Sequence, residues 1–379
     1  MTSEYDVLII GLGAMGSAAA YHLAGRGLRV IGLDRFRPPH AFGSSHGRTR
    51  IIREAYFEHP AYVPLVQRAY ELWVDLEKQS GKKLLLQTGG LMIGPPRGVL
   101  VSGARRSAEM HRLRHEMLSA ANIRERFPGF AASDDVTAVW EPRAGILFPE
   151  LAIEMQMELA AARGAQFRFD DPVHSWEPCH DYVRVNAQSG SYSAKHVVLS
   201  PGAWMNYLSP PLNLPLSVER QVLLWFEPVA DSGAFQPDRC PIFIWEYGPH
   251  QFFYGFPDLG DGVKIGIHHQ GEPSEPMALD REVKPQETNA ARELLRRFLP
   301  PAAGALKSTA VCMYTNTPDE HFILDRHPAH PEVIIASPCS GHGFKFSPVI
   351  GEIITDMVMG KPSRFDLSLF KVSRFAPGT

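Results

Sequence analysis

The feature that most constrains this chain is a glycine-rich turn after a short apolar run near its start. Val7–Ile10 is an apolar run typical of a buried parallel strand, and it stops at Gly11. Gly11, Gly13 and Gly16 form G-x-G-x-x-G, whose glycines permit a tight turn, close approach of backbone to a pyrophosphate, and close packing of helix on strand. Residues 14–24 predict a helix whose free N–H groups face that phosphate. The spacing predicts a dinucleotide-binding βαβ unit.

The second half of this unit makes the signal specific. A strand over Leu28–Leu33 ends at Asp34, whose carboxylate is placed to accept a ribose hydroxyl. A lone G-x-G-x-x-G is weak, but here it lies between two strands, opens a helix and has an acidic residue about 20 positions on. A glycine-rich turn without a ligand is the weaker interpretation. The motif alone does not separate NAD from FAD. The continuation through Ala20, Leu23 and Gly27 resembles the FAD-binding fingerprint of glutathione-reductase-like flavoproteins.

Length and composition exclude several classes of protein. The 379 residues suffice for two domains, and 44% hydrophobic with 21% charged residues is ordinary for a globular protein. A net charge of −3 gives no reason to expect nucleic acid or an anionic membrane as partner. No apolar run reaches a membrane-spanning length, and neither a secretory signal nor a peroxisomal ending is visible, the last residues being RFAPGT. We therefore expect a cytoplasmic location.

Cysteine usage argues against disulfides and metals. The four cysteines show no C-x-x-C spacing and are too few in so long a chain for a disulfide framework. No metal site is expected.

The order of strand-like and helix-like segments predicts an α/β protein with two domains. A Rossmann-like FAD-binding domain of glutathione-reductase type is assigned to residues 1–84, 146–214 and 320–379. A mainly antiparallel α+β substrate and catalytic domain, assigned to residues 85–145 and 215–319, is inserted into it.

Individual elements are predicted from periodicity and breakers. A strand is expected at Phe167–Val173, and several strands within 215–270. Ser347 is expected to cap the final helix, with Pro348 at its first position. Helices are expected over 61–79, 99–127, 149–163, 287–298 and about Pro348–Met359.

The loop after Asp34 is unusually basic. It carries His40, His46, Arg48, Arg50 and Arg53. For Arg48 we accept the simple interpretation of a solvated charge. For Arg50 and Arg53, beside the first βαβ unit, we expect side chains that face the cofactor or an anionic substrate.

Longer blocks of sequence resemble a known family over essentially the whole chain. It is the monomeric sarcosine oxidase and N-methyltryptophan oxidase group of flavoproteins. The blocks are GLGAMG from residue 11, PPH from 38, GRTRIIREAY from 47, YVPL from 62, YGFP from 254, VKIGIHH from 263, AVCMYTNTPDEHFILD from 310 and SGHGFKFSPVIGE from 340. The resemblance implies oxidation of the C–N bond of an N-methylated or cyclic secondary amino acid. It also implies a flavin held by a cysteine thioether, and O₂ reduced to H₂O₂.

The resemblance assigns the cofactor contacts. Cys312 matches the flavin-linking cysteine, although a lone cysteine is more often an inert buried thiol. Attachment requires a thiolate, and His46 and Arg50 are the candidate cations that would lower the thiol pKa. Gly343 and Lys345, in the SGHGFKFS block, are also expected near the flavin.

The resemblance assigns the substrate and oxygen sides as well. Arg53 and Lys345 match the binders of the substrate carboxylate, and the alternative for Lys345 is a snorkelling side chain at a loop edge. Lys264 matches the lysine associated with oxygen activation, and Arg50 lies beside the flavin. Three further side chains match the substrate pocket: His268, which orients or deprotonates the substrate, and the aromatic walls Tyr254 and Tyr314.

His269, next to His268 on a strand, is expected to face away from the pocket. Trp245 is either a pocket wall or a core residue.

Departures from the family pattern leave the substrate open. Arg48 replaces a usual aspartate, Glu54 and Ser45 replace usual histidines, and Cys339 stands where an aromatic residue is common. The substrate therefore need not be sarcosine.

We expect an FAD-dependent oxidase of N-methyl amino acids, with hydride transfer from the carbon next to the amine to the flavin. Hydrolysis of the imine would give formaldehyde, and O₂ would be reduced to H₂O₂. The expected partners are a small amino acid and O₂, and the expected state is a monomer. The alternatives are a cyclic imino-acid oxidase acting on L-pipecolate or proline, a flavin dehydrogenase with a non-oxygen acceptor, and an NAD-type binding module or redox sensor without turnover.

Overall fold

The computed structural model describes residues 4–209 and 212–375. Residues 1–3, 210–211 and 376–379 lie outside this description, and with them both outer ends of the predicted cofactor domain and most of the ending RFAPGT.

The described residues form three β-sheets and the helices that cover them. The strands are β1 (Tyr5–Ile10), β2 (Val30–Leu33), β3 (Arg50–Ile52), β4 (Leu85–Gln87), β5 (Gly90–Gly94), β6 (Glu116–Ser119), β7 (Thr137–Glu141), β8 (Gly145–Leu147), β9 (Gln166–Arg168), β10 (Val173–Pro178), β11 (Val183–Ala187), β12 (Gly190–Leu199), β13 (Ser217–Phe226), β14 (Ile242–Gly248), β15 (Gln251–Phe256), β16 (Val263–His268), β17 (Leu306–Asn316), β18 (Ile323–His327) and β19 (His330–Ser337). The α-helices are α1 (Ala14–Ala24), α2 (Tyr62–Ser80), α3 (Val99–Met110), α4 (Ala120–Arg126), α5 (Pro149–Ala162), α6 (Met205–Leu208), α7 (Pro285–Phe298) and α8 (Ser347–Val358).

The first sheet is the dinucleotide-binding one. Its centre is parallel: β1 lies between β2 and β12, β9 adds beside β2, and β19 adds beside β12. The antiparallel strands β10, β11 and β18 extend it. Helix α1 packs between α5 and α8. The start of α1 also lies close to the glycine turn, because a Cβ at Gly16 would be 1.8 Å from the Gly11 carbonyl oxygen. This arrangement confirms the predicted α/β, Rossmann-like fold.

The second sheet is mainly antiparallel, in the order β17-β13-β16-β15-β14-β5-β7-β6, with β14 and β5 as its parallel pair. Trp245 on β14 is fully buried, stacks on Phe130 and Phe253, and contacts Phe298 of α7. Of the two interpretations of Trp245, the core residue is therefore the right one.

A third, small sheet consists of β3, β8 and β4, and its residues fall in the ranges of both predicted domains. All strands of the first sheet fall in the ranges assigned to the cofactor domain, and those of the second in the ranges assigned to the catalytic domain. The domain boundaries themselves stay predictions.

Most of the helices are where periodicity places them, including α1, α2, α5, α7 and α8. The single helix predicted over 99–127 is wrong. Helix α3 ends at Met110, and Arg112 adopts φ 53°, which is not helical. Strand β6 and then helix α4 follow. Ser119 begins α4 with a capping box, in which its Oγ accepts from the Asn122 N–H.

Two smaller predictions also fail. The strand expected at Phe167–Val173 divides into β9 and β10, because Asp170 adopts φ 55° between them. Ser347 is not the cap of α8. A 3₁₀ turn, Phe344–Phe346, runs directly into the helix, so Ser347 is already helical and its buried Oγ lacks a partner among the described residues.

In the part of the chain that the structure describes, no helix combines the length and the apolar character needed to cross a bilayer.

The contact of α1 with the glycine turn can be tested by adding one methyl group. Gly16→Ala places a Cβ against the Gly11 backbone, and we expect it to lower the free energy of unfolding by about 3 kcal/mol, despite the better helix propensity of alanine. Gly13→Ala is the control, since its Cβ meets only Ser45 Oγ at 3.9 Å, and we expect a loss of about 1 kcal/mol. Urea unfolding measures both. Equal losses would contradict the packing argument.

Candidate active site

A cavity of about 580 Å³ runs between the first and second sheets. The glycine turn and Asp34 lie in its wall, as do Cys312, His268 and Lys345. Residues assigned to the cofactor and to the substrate therefore share one continuous space.

The glycine turn is shaped for a close ligand. Gly11 adopts φ 90°, and a Cβ there would lie 2.5 Å from the Ser200 carbonyl oxygen. The Asp34 carboxylate accepts from the Leu12 N–H at 2.6 Å and the Phe36 N–H at 2.9 Å, which ties the end of β2 to the turn. Gly11, Gly13 and Asp34 line the cavity, whereas Gly16 serves the packing of α1. These residues fit the phosphate and ribose of a dinucleotide.

A second glycine bend lies in the SGHGFKFS block. A Cβ at Gly343 would lie 1.6 Å from the Pro338 carbonyl oxygen, and Gly343 lines the cavity as predicted for a cofactor contact. Gly341 adopts φ 75°, and a Cβ there would lie within 2.8 Å of the Tyr314 and His268 rings. Glycine is therefore required where this loop closes on the cavity.

Cys312 lies on β17, buried in the cavity wall. Burial raises the pKa of its thiol, while the positive charges of Arg50, Lys264 and Arg281 act to lower it. His46 does not supply a charge, because burial and Arg50 lower its own pKa to about 4. Its ring is buried outside the cavity lining. The lowered pKa argues against His46 as the cation beside Cys312, and its assignment as a cofactor contact stays a prediction. Arg281, whose charge acts on the thiol, was not identified from the sequence.

Lys264 and Arg50 are fixed by the backbone of one loop. The Lys264 side chain, 1% exposed, donates to Gly47 O at 2.7 Å, Thr49 O at 3.0 Å and Thr49 Oγ1 at 2.9 Å. Arg50 donates to Thr49 O at 2.8 Å and Ser44 O at 2.6 Å. Arg50 lines the cavity, and Lys264 lies outside its lining. Burial and Arg50 hold the pKa of Lys264 well below its usual range.

The same loop is held from its other side by Glu150, near the start of α5. Its Oε1 accepts from the Gly47 N–H at 2.7 Å and from the Arg48 N–H at 3.0 Å.

Arg53 lies in the cavity wall and is almost fully buried. Its Nη2 donates to both carboxylate oxygens of Glu58, at 2.6 and 2.7 Å, and its Nη1 donates to Ala55 O at 3.0 Å. Its buried Nε has no partner among the described residues. Glu58 also lines the cavity and was not found from the sequence.

Lys345 is buried, so the snorkelling alternative is wrong. Its Nζ donates to His342 O at 2.7 Å and lies 3.4 Å from the Tyr56 hydroxyl. His342 Nε2 lies 3.0 Å from Glu320 O, which can only accept, so Nδ1 is the acceptor for the Tyr56 hydroxyl at 2.6 Å. Burial and Arg53 lower the pKa of Lys345 to about 7.

His268, Tyr254 and Tyr314 form an aromatic wall, and all three line the cavity. His268 Nδ1 lies 3.2 Å from the Tyr314 hydroxyl. Burial and His269 hold the pKa of His268 well below its usual range, which keeps the ring neutral. Burial raises the pKa of Tyr254 to about 12.

His269 lies outside the cavity lining, as expected, and its Nδ1 pairs with Glu219 at 3.3 Å, but strand alternation is not the reason. Strand β16 ends at His268, and His269 adopts φ 52°. The His269 ring therefore lies 4.1 Å from the His268 ring and 5.3 Å from that of Tyr314.

The departures from the family pattern have separate surroundings. Arg48 is half exposed, pairs with Asp261 and lies over the Trp225 ring. Glu54 is buried and pairs with Arg143 at 2.9 Å. Ser45 and Cys339, in contrast, line the cavity.

Within residues 4–209 and 212–375, no group of three or more histidine, cysteine or acidic side chains is arranged to hold a metal ion.

Comparison with known proteins decides the family. The family model described as DAO, FAD dependent oxidoreductase, matches residues 6–357. The chain belongs to this family.

Similar proteins extend over the full length. The chain is 44% identical over 380 residues to a monomeric sarcosine oxidase of Streptomyces avermitilis, covering 99% of both chains. It is 38% identical to an N-methyl-L-tryptophan oxidase of Yersinia pestis, covering 98% of this chain and all of that one. Among solved structures, NikD, an unusual amino acid oxidase essential for nikkomycin biosynthesis, superimposes with a TM-score of 0.85 at 26% identity, covering 98% of both chains. The FAD fingerprint inferred from the sequence is thus confirmed at the level of the family.

The buried position of Lys345 predicts how stability depends on pH. Its pKa falls from 10.5 to about 7 on folding, so between these values the unfolded chain binds more protons and wild-type stability gains with rising pH. In Lys345→Met this gain is absent. Relative to wild type, the variant should therefore be most favoured near pH 7 and progressively less favoured toward about pH 9.5.

Urea unfolding of the flavin-free protein across this range measures the difference. Lys82→Met is the control, because Lys82 is exposed, and its difference from wild type should not change with pH. A pH-independent difference for Lys345→Met would contradict the lowered pKa.

Proposed function

We propose that this FAD-dependent oxidoreductase is an oxidase of N-methyl amino acids. The observation that carries the proposal is one cavity that joins a dinucleotide turn, Cys312, and the two buried cations Arg53 and Lys345. The names of the full-length relatives support the same class of substrate.

Arg53 and Lys345 are suited to hold a carboxylate. Arg53 offers a planar fork and an unpaired Nε–H, and Lys345 adds a point charge. Since Glu58 already pairs with Arg53, a substrate carboxylate competes with Glu58 for the guanidinium.

A neutral His268 is suited to the amine end. In the tautomer whose Nδ1–H donates to the Tyr314 hydroxyl, Nε2 has a free lone pair that accepts a hydrogen bond from the substrate amine. The ring can then orient a neutral secondary amine against the aromatic wall. When bound, FAD would supply the two-electron acceptor for the carbon next to nitrogen, with O₂ as the final oxidant. Hydrolysis of the resulting imine gives formaldehyde and the primary amino acid.

Several finer points belong to the same proposal. Cys312 holds the flavin covalently, Arg50 and Lys264 place positive charge beside it, and oxygen is reduced to H₂O₂. The protein acts as a cytoplasmic monomer, in keeping with the relatives named monomeric.

A peroxide-coupled screen tests the substrate class. Sarcosine, N-methyl-L-tryptophan, L-pipecolate and L-proline are offered at equal concentration, with peroxide as the first readout and a dye acceptor as the second. Peroxide and formaldehyde from an N-methyl amino acid support the proposal. Turnover of the cyclic substrates alone, or dye reduction without peroxide, would replace it by one of the two alternatives.

Covalent attachment predicts a mass increase that one substitution removes. Denatured wild-type protein should carry the mass of FAD, because the thioether survives acid, whereas Cys312→Ala should have only the polypeptide mass. Cys240→Ala is the control, since Cys240 is equally buried but outside the cavity lining. Intact mass spectrometry measures all three. A wild-type polypeptide without added mass would refute the linkage.

Lys264→Met should separate the two half-reactions. Loss of a fixed cation that interacts electrostatically with Arg50 and Cys312 should slow the reaction of reduced enzyme with O₂ by about 100-fold or more, and leave reduction by substrate nearly unchanged. Stopped-flow absorbance measures both steps. Lys307→Met, at an exposed lysine, is the control. Unchanged oxygen reactivity would remove this role from Lys264.

A further inference from the structure

Glu141, the last residue of β7, is a fully buried carboxylate outside the cavity lining. Each of its two oxygens accepts one backbone hydrogen bond: Oε1 from the Glu54 N–H at 2.7 Å and Oε2 from the Ala55 N–H at 2.8 Å. These two residues directly follow Arg53 in the chain.

The segment that Glu141 binds, Glu54–Ala55, also contacts the Arg53 guanidinium. Arg53 Nη1 donates to Ala55 O at 3.0 Å, so the residue whose N–H binds Glu141 presents its carbonyl to Arg53. Glu141 belongs to the second sheet, and Arg53 follows β3 of the third. The carboxylate therefore fixes Arg53 relative to the sheet that carries His268 and Cys312.

Charges around Glu141 do not explain its burial. Arg53, Glu54 and Tyr70 interact with it electrostatically, but no cation among the described residues comes within salt-bridge distance of its oxygens. Glu54 has its own partner in Arg143. Burial raises the pKa of Glu141 to about 7, and the two N–H groups oppose this rise. Retaining an unpaired buried carboxylate is costly, and it is consistent with a role in fixing a geometry.

We propose that Glu141 is a positioning residue that sets the Arg53 guanidinium for the substrate carboxylate. The proposal rests on the function proposed above. Glutamine is the informative replacement, because its amide has one acceptor oxygen, and its NH₂ would face the second backbone N–H.

The first measurement is hydrogen exchange of the holoenzyme at about pH 8.5, where Glu141 is ionised. In Glu141→Gln the Glu54 and Ala55 amides should exchange about tenfold faster than in wild type, because one of them lacks a buried partner. Glu54→Gln is the matched control: it removes a negative charge from the same cluster and leaves both amide contacts, so protection should not change.

The second measurement is binding of N,N-dimethylglycine, a carboxylate probe, to the same proteins. We expect its Kd, and the KM of the best secondary amino acid, to rise about tenfold in Glu141→Gln, with kcat within about twofold of wild type. A residue that only stabilised the fold would not produce this division between KM and kcat.

The outcomes are distinct. Unchanged exchange, or faster exchange with an unchanged Kd, overturns the positioning role and leaves the proposed function intact. Absence of turnover with every secondary amino acid, while exchange and Kd still shift, refutes the proposed function and leaves the positioning role standing. If Glu141→Gln does not fold, Glu141→Asp, which keeps the charge but is one methylene shorter, takes the same two tests with the same criteria.

Discussion

The site depends on the way two carboxylates, Glu141 and Glu150, hold the backbone of one loop. The segment from Ser44 to Glu58 presents Arg50 and Arg53 to the cavity and supplies the carbonyls that bind Lys264. Glu150 binds the first part of this segment and Glu141 the last part, and each carboxylate accepts hydrogen bonds from two consecutive backbone N–H groups. Without Glu141, two buried N–H groups would lack partners, and without either carboxylate the cations would lose a fixed frame.

The same arrangement explains how so much positive charge is tolerated in an apolar cavity. Arg53 is neutralised by Glu58, and Lys264 is surrounded by three oxygens. Lys345 has a carbonyl and a hydroxyl, and burial and Arg53 lower its pKa, as burial and Arg50 lower the pKa of Lys264. Under the proposed function, a ligand carboxylate would compensate a charge that the protein leaves partly unpaired, which would favour amino acids over simple amines.

Local sequence predicts the parts of this structure that depend on local geometry. The turn at Gly11 and the helix after it follow from spacing, and so do most helices and the antiparallel strands. The failures have non-local or backbone causes. Periodicity could not show that Arg112 breaks a helix or that His269 leaves its strand, because both adopt positive φ. Glu58 and Glu141 were missed because a carboxylate shows no spacing signal, and the partners of Glu141 lie more than 80 residues away. The assignments of Cys312, Arg53 and Lys345 came from the family resemblance, and their roles stay predictions.

The small sheet of β3, β8 and β4 has a consequence for where the cavity can widen. It joins β3, which carries Arg50, through β8 to β4 by continuous main-chain pairing. The residues on either side of this sheet therefore do not separate easily along it. On another side of the cavity the contacts are between side chains: the Met277 sulfur, a weak acceptor, accepts from Trp204 and Arg35, and the Glu275 carboxylate accepts from the Tyr207 hydroxyl at 2.8 Å. We therefore expect the cavity to widen on the Met277 side rather than along the β3–β8–β4 sheet, because side-chain contacts break more readily than paired main chain.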